Sequence, residues 1–131
     1  MQYKILTLFL FLFSTSIYAQ KVSVDTTFYG RGGEVVAAGE EFLTYEVCDV
    51  DRRGRKDGIC AKLNNKGKLV ETVQYVKDKK EGFYYRYNIL GGHLVKGYFE
   101  NDQKVKSWLT YDIHGEPSQI SFYENGKLDY S

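Results

Sequence analysis

Three glycines, Gly67, Gly91 and Gly115, follow one another at intervals of twenty-four residues, and the chain around them keeps that period. Gly54, Asp78, Asp102 and Gly126 form a second series, and Tyr75, Phe99 and Tyr123 a third. Tyr87 and Tyr111 form a fourth, with Leu63 one period earlier, Tyr85 matches Leu109, and Tyr84 matches Trp108 with Cys60 at the same phase. A fixed period of this length marks a supersecondary unit repeated along the chain, each copy resting on its neighbours.

Each unit reads as an aromatic strand, a polar turn, a second aromatic strand and a glycine-containing turn. Tyr75 to Tyr87 leads into Asn88-Ile89-Leu90-Gly91-Gly92, and Phe99 to Tyr111 leads into Asp112-Ile113-His114-Gly115. Tyrosine and phenylalanine pack well on a pleated face and favour strands. Asn125-Gly126 is the strongest hairpin signal, because both residues tolerate the positive φ of a type I′ turn. Asn65-Lys66-Gly67 and Asp112 to Gly115 predict longer turns with glycine in the left-handed position. No segment after the first nineteen residues has a sustained 3.6-residue periodicity with caps. The expected fold is therefore all-β: a meandering antiparallel single-layer sheet of repeated β-hairpins. One hairpin buries too little apolar surface to stand alone in water, whereas hairpins laid edge to edge share a growing aromatic face. Residues 20–44 keep the phase poorly and read as an N-terminal lead holding at most one degenerate strand pair; the repeats occupy 45–131.

Three segments look like the MORN-type repeat family, in particular its exported bacterial members with units of this length: Lys80 to Tyr87, Val105 to Tyr111, and Phe122 to Leu128. They resemble the family's pattern of Gly, any residue, Trp/Tyr, two residues, Tyr, a glycine turn, then Tyr, two residues, Gly. The match departs at Lys106, where Gly58 and Gly82 precede it in phase, and at Asp78 and Asp102, where the pattern prefers glycine. The resemblance covers residues 45–131. It implies an interaction or scaffolding role and brings no catalytic residue with it.

The chain opens with Lys4, an apolar run from Ile5 to Phe13, the polar Ser14-Thr15-Ser16, and Ile17-Tyr18-Ala19 ending in a small residue. That order is the pattern of a secretory signal, cleaved after Ala19 to leave Gln20 first. The apolar run is too short for a bilayer-crossing helix, which needs about twenty residues. No cysteine near the cut supports a lipid anchor. The expected address is the periplasm, cell envelope or external medium, with no transmembrane span in the mature chain. About 110 residues remain, enough for one domain with a modest core.

Without Lys4, the 18 basic residues become 17 against 17 acidic ones, so no electrostatic footprint for nucleic acid exists. Arg52, Arg53, Arg55 and Lys56 cluster, but Asp49, Asp51 and Asp57 flank them, which reads as a solvated turn.

Two cysteines in an exported chain favour a disulfide on compartment grounds. Cys48 and Cys60 each lie six residues from Gly54. A hairpin turning at Arg53-Gly54-Arg55 sets them opposite each other, within bridging range. A structural disulfide is favoured over two free buried thiols, and the spacing is far from a redox CxxC motif.

No catalytic centre is evident. His93 and His114 are the only histidines, beside turn glycines, and two imidazoles do not complete a transition-metal shell. No nucleophile elbow appears, and Arg31-Gly32-Gly33-Glu34 lacks the spacing of a phosphate loop. Carboxylates at Glu40-Glu41 and Asp49-Asp51 imply no cleft. No metal, cofactor or enzymatic activity is expected. Strand alternation puts Tyr85 and Tyr87 on one face, joined by phase by Leu109 and Tyr111. Tyr84 and Arg86 lie on the other, joined by Trp108. One set must be core and the other can form an exposed strip; Tyr84, Arg86 and Trp108 are the candidate interaction surface. Its expected partner is another envelope or secreted protein, ahead of a glycan. The alternatives are a purely structural envelope component or, from a different class, a small exported hydrolase or inhibitor.

Overall fold

The structure is a computed structural model and describes residues 23–131, so the expected signal segment lies outside the described residues. The described chain is all-β, a single open antiparallel sheet of ten strands without a second layer. The strands are β1 (Ser23–Tyr29), β2 (Val35–Val36), β3 (Thr44–Val50), β4 (Lys56–Asn64) and β5 (Leu69–Val76). They continue with β6 (Lys79–Tyr87), β7 (His93–Glu100), β8 (Gln103–Tyr111), β9 (Pro117–Glu124) and β10 (Lys127–Tyr130). From β3 to β10 each strand pairs with its sequence neighbour, the meander that the repeat predicts. At the other end β1 lies against β3 along its whole length, from Ser23↔Val50 to Tyr29↔Thr44, and β2 pairs outside it with Phe28 and Tyr29 alone.

From β4 onward two kinds of turn alternate between the two ends of the strands. Lys77-Asp78, Asn101-Asp102 and Asn125-Gly126 all have positive φ at both positions, from 47° to 81°, the signature of type I′. Only the last pair contains glycine. The other two show why aspartate stands in its place. The Asp78 N–H donates to the Lys56 carbonyl and its Oδ1 accepts from the Lys56 N–H, each at 2.8 Å. Asp102 makes the same pair of contacts with Lys80, at 3.0 and 2.8 Å. Each aspartate thus fastens its turn to the hairpin before it, and two hydrogen bonds offset the cost of a left-handed non-glycine residue.

The longer turns share one side-chain device. Oδ1 of Asp51, Asn64, Asn88 and Asp112 accepts the N–H two residues on and again four residues on, at 2.8 to 3.0 Å. Glycine follows three residues later with φ between 75° and 90° in all four.

A third regularity runs inside the strands. Gly58, Gly82 and Lys106, one period apart, all have positive φ, at 131°, 113° and 62°. Each lies at or beside a slip in strand register, a β-bulge. The bulge therefore persists where lysine replaces glycine, and Lys106 lays its ammonium 4.1 Å from the centre of the Tyr98 ring.

Cross-strand register divides the side chains between two unequal faces. One row runs across seven strands as Cys48, Cys60, Val73, Tyr84, Gly97, Trp108 and Ser121. Cys48, Cys60, Val73, Trp108 and Ser121 in this row are buried, as is Phe99 beside it. This covered face is roofed by its own long side chains. Lys56 lies over Tyr75 and Lys80 over Phe99, both at 5.0 Å; Lys104 lies over Tyr123 at 5.1 Å and over Trp108 at 4.4 Å. These lysines are one period apart, as are Tyr75, Phe99 and Tyr123, so one cation–aromatic contact recurs three times. The stems cover apolar surface while the charges stay near water. Such a row replaces the globular core a single layer cannot build.

Cys48 and Cys60 are direct register partners with Cα atoms 4.0 Å apart, and they form a disulfide. The bond joins β3 to β4 at the start of the buried row, as the symmetry about Gly54 predicts.

Candidate functional site

The open face carries the apolar surface that the sheet leaves uncovered. Phe83 is 56% exposed and Ile59 57%, with Ile120 also exposed. Phe83 stacks on Tyr85 with ring centres 5.9 Å apart and meets Tyr98 edge-on at 5.2 Å. Tyr85 leads to Tyr87 and His93, which close the aromatic strip at 5.0 to 6.5 Å. Between Phe83, Tyr85, Tyr98 and Leu109 lies a shallow groove with Lys96 and Lys106 at its borders. Lys96 lies over Tyr111 and Lys106 over Tyr98, and neither forms an ion pair among the described residues. Two cations held against rings beside exposed hydrocarbon suit an apolar segment bearing carboxylates.

The three residues singled out in the sequence lie together, but not as an exposed aromatic strip. Tyr84, Arg86 and Trp108 share the covered face and line one polar groove there. Arg86 is exposed and Tyr84 half-buried, whereas Trp108 is only 6% exposed. The indole lies flat on Gly97, which has no side chain to lift it, and Lys104 closes it from above. The Tyr84 hydroxyl donates to Glu71 at 2.9 Å. Burial, followed by that carboxylate's charge and hydrogen bond, pushes the phenol well above its ordinary pKa, so it remains a protonated donor. Strand alternation gave the correct grouping of side chains. It did not show which group would be covered, and it passed over Phe83, which shares Tyr85's parity and was legible from that alone.

Neither histidine gathers partners for catalysis. His114 sits exposed in the turn held by Asp112, and His93 opens β7 against the rings of Tyr85 and Tyr87. Burial, then the charge of Lys96, lowers the pKa of His93, and its Nδ1 is buried without a partner among the described residues. Glu46, Cys48 and Cys60 come close enough to suggest metal ligation, but both sulfurs are spent in the disulfide. Glu46 is instead paired with Lys56. Burial works against the Lys56 charge, and the hydrogen bond and charge of Glu46 outweigh it, so its pKa is raised. Among the described residues no helix is long and apolar enough to cross a membrane. In comparisons with known proteins the chain matches no family model, no curated protein and no solved structure.

Proposed function

We propose that this protein is an exported, non-enzymatic interaction module that docks a partner protein on the open face of a MORN-like sheet. The observation that carries this reading is the strip of exposed Phe83 with half-buried Tyr85 and Tyr98, beside Lys96 and Lys106, which form no ion pair among the described residues. The partner is an envelope or secreted protein presenting an apolar segment with acidic residues, since such a segment meets both the rings and the two ammonium groups. Support for export comes from the order of the first nineteen residues and from the disulfide, which is compatible with an oxidising compartment. The resemblance of residues 45–131 to exported MORN-type chains points the same way. Enzymatic action is set aside because neither imidazole has an acid and a nucleophile gathered around it.

A photo-crosslinking residue in place of Ile120, beside the strip, tests this in the producing cells. A discrete adduct with one protein is expected, competed away by excess unlabelled chain and lost on Phe83→Ser or Lys106→Glu. Adducts that persist unchanged in both variants, both still folded, would remove the open face as the docking surface.

A further inference from the structure

The covered face contains a second recess, chemically unlike the open one. Its floor is made of Val95, Thr110 and Ser121, short side chains around the flat Trp108 indole, which itself covers Gly97. Taller side chains wall it: Tyr84 and Arg86 from β6, Gln119 and Tyr123 from β9, and Lys104 from β8. Register sets Arg86, Val95, Thr110 and Gln119 in one row across four strands, so the recess runs across the sheet.

Three groups of this recess lack a charged or hydrogen-bonding partner among the described residues. Arg86 faces Glu71 in register yet forms no ion pair among the described residues, and neither does Lys104. Glu71 instead accepts the Tyr84 hydroxyl. Most telling is Trp108: the side chain is more than nine-tenths buried, and its Nε1 has no hydrogen-bond acceptor among the described residues. A buried indole N–H normally has one, and leaving it without costs stability. Around it stand the Thr110 hydroxyl, the Gln119 amide donating to the Ser121 hydroxyl at 3.2 Å, and the flat rings of Tyr84 and Tyr123.

We propose that this recess binds a saccharide carrying a carboxylate, a uronic-acid type of ligand. The carboxylate lies between the Arg86 guanidinium and the Lys104 ammonium, the strong charge-assisted contacts of the site. The sugar hydroxyls exchange hydrogen bonds with Thr110, Gln119 and Ser121, and the pyranose ring lies on an aromatic wall. When the carboxylate draws Lys104 off the indole, a ligand oxygen reaches the Trp108 N–H and satisfies it. A purely acidic peptide uses the two cations but brings no hydroxyls to Thr110 and the hydrogen-bonded Gln119–Ser121 pair and no ring to lie on the tyrosines, which is why the saccharide is favoured. This inference goes beyond the docking role, since it concerns the opposite face of the sheet.

Trp108 is the single tryptophan of the chain, so its fluorescence reports on the recess directly. The oxidised protein is titrated with oligogalacturonate, with a neutral galactose oligomer of equal length, and with oligoglutamate of equal charge; heat of binding is the second readout. Saturable binding of oligogalacturonate alone is expected, at least about tenfold weaker in Arg86→Gln and in Lys104→Gln, as loss of one charged hydrogen bond requires. Phe83→Ser, which damages only the open face, leaves it unchanged, so the two sites fail separately. The proposal is overturned by no saturable response, by equal binding of the neutral oligomer or of oligoglutamate, or by undiminished binding in the two variants. Arg86 is exposed, so Arg86→Gln folds and decides the matter even if Lys104→Gln does not.

Discussion

Gly97 and Trp108 occupy one space on the covered face: a Cβ placed on Gly97 would sit 2.3 Å from Cδ2 and Cε2 of the indole. The obstructing atoms belong to a rigid ring, itself held between the sheet and Lys104. Gly97→Ala is therefore expected to destabilise the protein by about 2 kcal/mol, the scale of overpacking, which lowers Tm by roughly 10 °C in a domain of this size. In a Trp108→Leu background the same substitution should cost far less. A double-mutant cycle by thermal melting measures the coupling, and additive losses would show that the two residues do not share that space.

The Cys48–Cys60 bond closes a short loop, with a sequence separation of 12. Reduction should raise the intact mass of the purified protein by two hydrogens. In urea melts the Cys48→Ser, Cys60→Ser double variant should lose about 3 kcal/mol, the chain-entropy value for a loop of that length. An identical mass with and without reductant would rule the bond out.

Asp102 supplies one acceptor and one donor to Lys80 from a residue whose φ is 67°. Asn has the same acceptor and tolerates the left-handed region, so Asp102→Asn should stay within about 0.5 kcal/mol of the parent. Asp102→Ala loses the acceptor and adds backbone strain, and should cost about 2 kcal/mol. Equal stability of the two variants in denaturant melts would mean that the side chain does not tie the hairpins together.

His93 gives stability a dependence on pH. Its folded pKa is lowered from 6.5, first by burial and then by Lys96, so the unfolded chain binds the proton more readily. The stability associated with the neutral ring is therefore full above about pH 6.5, falls as pH drops below that value, and levels off below the folded pKa. His93→Gln should flatten this part of the profile in melts between pH 7.5 and 5. A slope unchanged by the substitution would assign the effect to other groups.

The repeat made much of this fold legible in the sequence. Gly54 at the midpoint of two cysteines placed the bridge, and the phase shared by Cys60, Tyr84 and Trp108 is the buried row itself. Phase reports parity, however, and parity is symmetric between faces. Lysines lean over rings on both faces, so what breaks the symmetry is the vacancy at Gly97 that lets the Trp108 indole lie flat, a contact between strands that no local pattern encodes. The same limit applied to Asp78 and Asp102. They read as departures from a glycine pattern because their hydrogen-bond partners lie 22 residues earlier, in another hairpin. The position of β1 beside β3 also lay beyond reach, since that segment does not keep the period.

The aspartate fastenings give the sheet a direction. Lys56 and Lys80 are each gripped by backbone and carboxylate, but at the corresponding place Gly126 offers Lys104 only its N–H, at 2.9 Å. Pulled from its C-terminal end, the ladder should come apart like a zip, hairpin by hairpin, the first release meeting the weakest catch. The run would stop at β3 and β4, where a covalent stitch takes over from hydrogen bonds.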